Sequence, residues 1–502
     1  MEIQKLKFSN YHIPILITIL VVATIVRFWD LGGVGFNNDE AVYAGQAATI
    51  AGNEEFSKYF SVIRAHPLLY HVLVAVVYFF TGVSDVGARM VSATFGVATV
   101  AITYFVGKTL FNRKVGLLAA AILSLLPYHV IVTTQAMVDV PFSFFFTLTV
   151  LFMAKYVKTD NRLWMYGLGP VAGLSFMSKE VGVLTLITVL IYLKLYKKLG
   201  IKKFLIISFT FLIVVSPHAM LLMSKGDSTS TGSGYLEWQF ARPPNHPPDF
   251  YFVTLFGAIG ILAALSFLAI YRAIKTREQA GLLLFIFLVP SFVFFQLWPT
   301  KGFHYLVPLI PTFVLLGSSF FFTDWMKKVP NYKMIAIVLI PIIFLSTIQS
   351  IDYFFPPEEK TYLAGSGGLP NAREASLWIK QNTPEDSVIM VIGPTMGNII
   401  NFYSNRDTLA LSVNPNPAQH NPAYTPILDP DGMIESGEID YLVYDVYSAK
   451  RSRYFGDEMN YYVRTHNAES VHIEYEILGF GNQAEPKPVI FVYRVSQPDN
   501  QN

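Results

Sequence analysis

Residues 88–134 read ARMVSATFGVATVAITYFVGKTLFNRKVGLLAAAILSLLPYHVIVTT. Two apolar blocks, 88–107 and 115–134, flank the basic loop Lys108 to Lys114, and the stretch holds no acidic residue. Each block is close to the roughly 20 residues a helix needs to cross a hydrocarbon core. Lysine and arginine concentrate in cytoplasmic loops. The stretch therefore predicts two membrane helices joined by a cytoplasmic turn.

The same pattern recurs along the chain. Further apolar blocks lie at 13–28, 67–82, 140–157, 164–177, 181–196, 204–223, 251–271, 280–298, 303–322 and 333–350. Basic loops recur at Lys155 to Arg162, Lys194 to Lys203, Arg272 to Arg277 and Lys327 to Lys333. Charged residues make up 14% of the chain, against about 25% in soluble domains. A net charge of +2 argues against nucleic acid as a partner, and the absence of cysteine excludes disulfides and thiolate chemistry. The first block follows Lys5 and Lys7, but Arg27-Phe28-Trp29-Asp30 makes a poor cleavage site. It reads as a retained anchor.

Alternation tests this topology. If 67–82 crossed the bilayer, the basic loop at 108–114 would fall outside. Treating 67–82, which begins at Pro67 and ends at Gly82, as a helix in the outer leaflet restores every later loop to the cytoplasm. The pair 164–177 and 181–196, interrupted by Ser178-Lys179-Glu180, keeps parity either as two crossings or as a re-entrant pair. The expectation is an α-helical polytopic membrane protein of about eleven spans with outer-leaflet juxtamembrane helices, its N-terminus cytoplasmic. Residues 1–351 form this part. From Asp352 the composition shifts to short strands (Ser387–Ile392, Tyr441–Tyr444, Val489–Val495) and a helix at Ala372–Gln381, which predicts a soluble α/β domain over 352–502, outside the cytoplasm.

The topology collects unusual polar residues on the outer side: Asp39, Glu40, Arg64, His66, Arg89, Asp139, Lys179, Glu180, Arg242, His246, Asp249, Lys301, His304 and Tyr305. Each has a plainer structural use. Asp39 suits a helix cap, Asp139 with Pro141 an ordinary helix start, and Arg89 a headgroup contact. Lys179-Glu180 reads equally as a self-satisfied pair at a helix break. Lys301, in Trp298-Pro299-Thr300-Lys301-Gly302-Phe303-His304-Tyr305, sits where an aromatic belt would place a snorkelling lysine. Arg242-Pro243-Pro244-Asn245-His246 opens a stiff proline-rich loop. The alternative is one pocket at the membrane face. There a carboxylate takes a proton from an acceptor and cations neutralise a phosphate leaving group.

The order of these motifs resembles the polytopic glycosyltransferases of GT-C type, including protein O-mannosyltransferases and lipid A aminoarabinose transferases. The resemblance covers about residues 10–320. It runs through Asp39-Glu40, Pro67 to Tyr70, Gly87-Ala88-Arg89, Asp139 after Gln135-Ala136-Met137, the Arg242 to Tyr251 loop, and Lys301, Tyr305, Pro308 and Pro311. Many relatives carry Lys-Pro-Pro before the surface helix, where this chain has Ala65-His66-Pro67. The resemblance implies inverting transfer of a sugar from a polyprenyl or dolichyl monophosphate to a hydroxyl on a protein, lipid or glycan of the cell envelope. It assigns Asp39 as general base and Arg89, Arg242 and Lys301 as phosphate contacts. Asp139 is a second carboxylate, and with Asp39 it is a candidate pair for a divalent metal, although two ligands are too few to predict one. The competing readings are an oligosaccharide transferase or ligase using a pyrophosphate-linked glycan, a lipid-linked sugar transporter, and a non-catalytic membrane scaffold.

Overall fold

Ser84 and Asn112 punctuate the opening stretch. The Ser84 hydroxyl accepts from the Gly87 amide at 3.1 Å and starts the helix Asp85–Leu110. The Asn112 side chain accepts from the amides of Lys114 and Val115, at 2.9 and 3.1 Å, and starts Arg113–Leu125. The two helices fold back so closely that a Cβ on Gly107 would lie 2.6 Å from the Gly116 Cα. Small residues permit such backbone approach between apolar helices. Pro127 then opens the helix Pro127–Thr133, which is bent 62° from its predecessor. Arg27, fully buried on the helix His12–Phe28, donates to the Leu123 and Ser124 carbonyls left open at this bend, at 3.2 and 3.0 Å.

The computed structural model describes residues 11–63, 66–196, 198–224, 238–331, 334–335, 337–343, 345, 369–416, 419–478 and 485–495. Arg64 and part of the 333–350 block lie outside the described residues. Four described helices are long and apolar enough to cross a membrane: Asp85–Leu110, Asp139–Thr159, Ile201–Ser224 and Gln279–Leu297. Counting each of two bent pairs as one span makes six. The 67–82 block forms the helix Leu69–Thr81, 13 residues and about 20 Å long, short of the roughly 30 Å hydrocarbon core. The interruption at 178–180 is a real break, with Arg162–Ser178 ending before a 3-10 turn at Glu180–Gly182 and the helix Val183–Leu195.

The block 251–271, expected as one span, is two helices. Phe250–Ile259 and Ile261–Thr276 meet at 109°. Gly260 makes the corner with φ 54° and ψ −137°, a backbone region that side chains with a Cβ resist. Gly260→Ala is expected to cost about 1–3 kcal/mol through this strain. A fall in the detergent-solubilised unfolding midpoint checks it.

Residues 369–495 form a five-stranded sheet in the order β2-β1-β3-β5-β4. The strands are β1 (Val388–Val391), β2 (Asp407–Ala410), β3 (Tyr441–Asp445), β4 (Glu469–Leu478) and β5 (Glu485–Arg494). β1 pairs in parallel with β2 and β3, while β5 runs antiparallel to β3 and β4. Alternation sends Ile389, Val391 and Val443 into the core shared with the helical part. Met390, Ile392 and Leu442 face a second cluster with Ile434, Met459 and Tyr462. The helix Pro394–Ser404 docks on the first loop of the chain. Phe402 meets Phe36 edge-on at 5.1 Å, and the Tyr403 hydroxyl accepts from the Phe36 amide at 2.9 Å while donating to Asp85 at 2.7 Å.

Candidate active site

Asn37 sets the position of the acidic pair. Its side chain accepts from the Glu40 amide at 3.0 Å, and the Glu40 carboxylate accepts from the Asn37 amide at 3.1 Å. This reciprocal cap starts the helix Asn38–Ile50. Successive residues on a helix point about 100° apart, so the two carboxylates diverge. Asp39 turns into a large cleft. Glu40 turns inward and is 1% exposed.

The inward carboxylate is fully engaged. Arg89 grips it with two donors, Nε at 2.7 Å from Oε1 and Nη2 at 2.8 Å from Oε2, and the Ala136 amide donates at 2.7 Å. Arg89 spends its other donors on the carbonyls of Leu31, Val34 and Gly35, at 2.8, 2.7 and 3.1 Å. All five guanidinium N–H groups are thereby used. Two expectations are corrected here. Arg89 has no donor left for a lipid phosphate, and Glu40 does not reach the cleft, since its lone pairs are committed to structure.

The cleft, of about 1070 Å³, is lined by Asp39, His66, Lys179, Glu180, Arg242, His246, Lys301, His304 and Tyr305, so nine of the residues singled out in the sequence converge. Asp139 does not line it. Its carboxylate is 1% exposed and accepts from Lys179 Nζ at 2.7 Å, with His304 Nε2 at 3.7 Å from Oδ2. Asp139 therefore anchors the Lys179 ammonium, which also sits 4.2 Å over the Tyr305 ring, instead of forming a second carboxylate in the cleft beside Asp39. No group of three or more His, Asp or Glu among the described residues is arranged to hold a metal ion.

Lys179 and Glu180 do not satisfy each other either. Glu180 faces His66, whose Nδ1 lies 2.7 Å from Oε2. Burial pushes the Glu180 carboxyl up, but the His66 ring and the Lys179 ammonium outweigh it and hold it at about 2. Lys301 is held by its backbone. Its amide donates to Asn245 Oδ1 at 2.8 Å and its carbonyl accepts from Asn245 Nδ2 at 3.0 Å, which ties this turn to the proline-rich loop. No described residue bonds the Lys301 ammonium, although the residue is only 6% exposed. His246 stacks on Phe250 at 4.1 Å, and burial with Lys301 and Arg451 nearby depresses its pKa. Arg242 lies 4.7 Å over the Trp238 ring.

Sequence reasoning missed the far wall. Asn421, Tyr424, Lys450 and Arg451, all beyond residue 400, line the same cleft. Nothing local marks them, because only the docking of the sheet-bearing part brings them there.

Comparison with known proteins agrees with this architecture. Residues 65–221 match the model of the dolichyl-phosphate-mannose-protein mannosyltransferase family. An uncharacterized protein of Aquifex aeolicus is 25% identical over 356 residues, covering 67% of this chain and 69% of its own. The crystal structure of ArnT from Cupriavidus metallidurans bound to undecaprenyl phosphate is similar with a TM-score of 0.67 and 14% identity, covering 95% of this chain and 97% of that one. An Archaeoglobus fulgidus oligosaccharyltransferase tethered to an acceptor peptide is similar with a TM-score of 0.58 and 12% identity, covering 98% and 75%. The family match over part of the chain and the fold agree with the resemblance read from the motifs: the chain has a fold similar to that of the GT-C-type polyprenyl-phosphate-sugar glycosyltransferases.

Proposed function

We propose that the chain is an inverting glycosyltransferase. It moves one sugar from a polyprenyl or dolichyl monophosphate to a hydroxyl of a protein, lipid or glycan at the outer face of the membrane. The basic loops at 108–114, 155–162, 194–203, 272–277 and 327–333 support that sidedness. The observation that carries the chemistry is a pairing in one cleft: among the described residues, a carboxylate, Asp39, takes one hydrogen bond, from Asn38, and a sheltered ammonium, Lys301, has none. The acceptor oxygen attacks the anomeric carbon, its proton passes to Asp39, and the bond from that carbon to the phosphate oxygen breaks. The polyprenyl phosphate leaves with the electron pair, and Lys301 and Arg242 neutralise its charge. One base and no covalent nucleophile suffice for a single displacement.

Lys301→Ala is expected to lower kcat/KM for the donor about ten- to a hundredfold, since a hydrogen bond to a charged group contributes about 1.5–3 kcal/mol. The unfolding midpoint should hold, because the residue's structural bonds are made by its backbone. The donor class is tested by incubating the purified protein with a panel of radiolabelled polyprenyl-phosphate sugars and membrane extract, with product analysis. Turnover of a monophosphate donor supports the proposal. Turnover of pyrophosphate-linked glycans alone would favour an oligosaccharide transferase, and transbilayer movement without transfer a transporter.

A further inference from the structure

Asp39 is oriented from the far end of the chain. Asn398 lies on the helix Pro394–Ser404, and its Nδ2 donates to Asn38 Oδ1 at 2.7 Å and to the Tyr424 hydroxyl at 2.8 Å. Asn38 Nδ2 in turn donates to Asp39 Oδ1 at 3.0 Å. The ionised carboxylate dictates the direction of this relay. A carboxylate only accepts, so Asn38 must present its amide hydrogens to Asp39 and its oxygen to Asn398. Asn398 must then present hydrogens to Asn38. Each donation polarises the next, so the second amide strengthens the first as a donor.

Asn398 is only 4% exposed, and it sits one helical turn before Phe402, the ring that packs against Phe36. The same helix face that docks the sheet-bearing part therefore delivers the amide. Among the described residues, Asn38 is the one that hydrogen-bonds the Asp39 carboxylate, and Asn398 holds Asn38 in place.

We infer that Asn398 is a positioning residue for transfer: through Asn38 it fixes the rotamer of Asp39, so that Oδ2 is directed at the acceptor hydroxyl. The inference rests on Asp39 acting as the base. It also implies that undocking the sheet-bearing part misaligns the base, so the two parts of the chain form one catalytic unit.

The test compares steady-state transfer by the purified full chain, using a polyprenyl monophosphate sugar as donor. Asn398→Asp keeps the shape but reverses the relay, since the new carboxylate would accept from Asn38 and turn that amide's oxygen toward Asp39. The expected result is a fall in kcat of about ten- to a hundredfold with donor KM within about twofold, as misorientation acts on the chemical step. Asn398→Gln should recover most of the rate, because it restores the donor. Tyr403→Phe removes the bonds to Phe36 and Asp85 in the same interface and should lower the unfolding midpoint without changing kcat. Should Asn398→Asp fold poorly, Asn38→Ala cuts the relay one step later and should show the same kcat loss. Wild-type kcat in Asn398→Asp or Asn38→Ala would overturn the inference, as would an equal kcat loss in Tyr403→Phe. Activity retained by Asp39→Asn would instead sink the reading of the base itself. An inactive Asp39→Asn beside a fully active Asn398→Asp would sink the relay alone.

Discussion

Asp39→Asn is expected to lower kcat about a hundred- to ten-thousandfold, the usual contribution of a positioned general base, while the protein folds and inserts normally. The change preserves shape and removes the proton acceptor. It leaves the helix start intact, because the cap belongs to Asn37 and Glu40. The new amide can still accept from Asn38 through its oxygen. Donor binding should change little, since the cations that meet the phosphate, Lys301 and Arg242, stand on the turn and loop tied together by Asn245. The measurement is initial-rate transfer with protein matched for membrane level and unfolding midpoint.

Arg89→Leu is expected to give the largest loss of stability, about 3–5 kcal/mol. The pair it breaks is almost fully buried, with side-chain exposures of 6% for Arg89 and 2% for Glu40. Removing the guanidinium strands the Glu40 carboxylate and leaves three carbonyls of the 31–35 loop without donors. The double replacement Glu40→Leu with Arg89→Leu should cost less than the sum of the two single changes, because the second removes the stranded charge. Denaturation of the four proteins in detergent measures this coupling. Additivity would mean that the pair does not act as a unit.

The helical framework was legible where its causes are local. Apolar blocks of sufficient length and the break around Lys179 are carried by neighbouring residues. The 251–271 block misleads because hydropathy ignores backbone dihedrals, and a single glycine at Gly260 turns one span into two helices. Part of the candidate site was illegible for a related reason. Asp39 and Glu40 are adjacent acids with similar chemistry, and helical rotation alone sends one to the cleft and the other to Arg89. Asp139 as a second carboxylate and Lys179 as a substrate contact are both candidates in the sequence, yet their closest charged partners are each other. Asn398 carried no signal, since its role depends on a contact with a residue 360 positions away.

The proposed chemistry is a single displacement at the anomeric carbon with Asp39 as sole base. Proton NMR of the transferred sugar tests it most directly, by comparing the anomeric configuration of the first product with that of the polyprenyl-phosphate donor. Inversion at every turnover is expected. Retention of configuration would require a covalent sugar–enzyme intermediate and would contradict it.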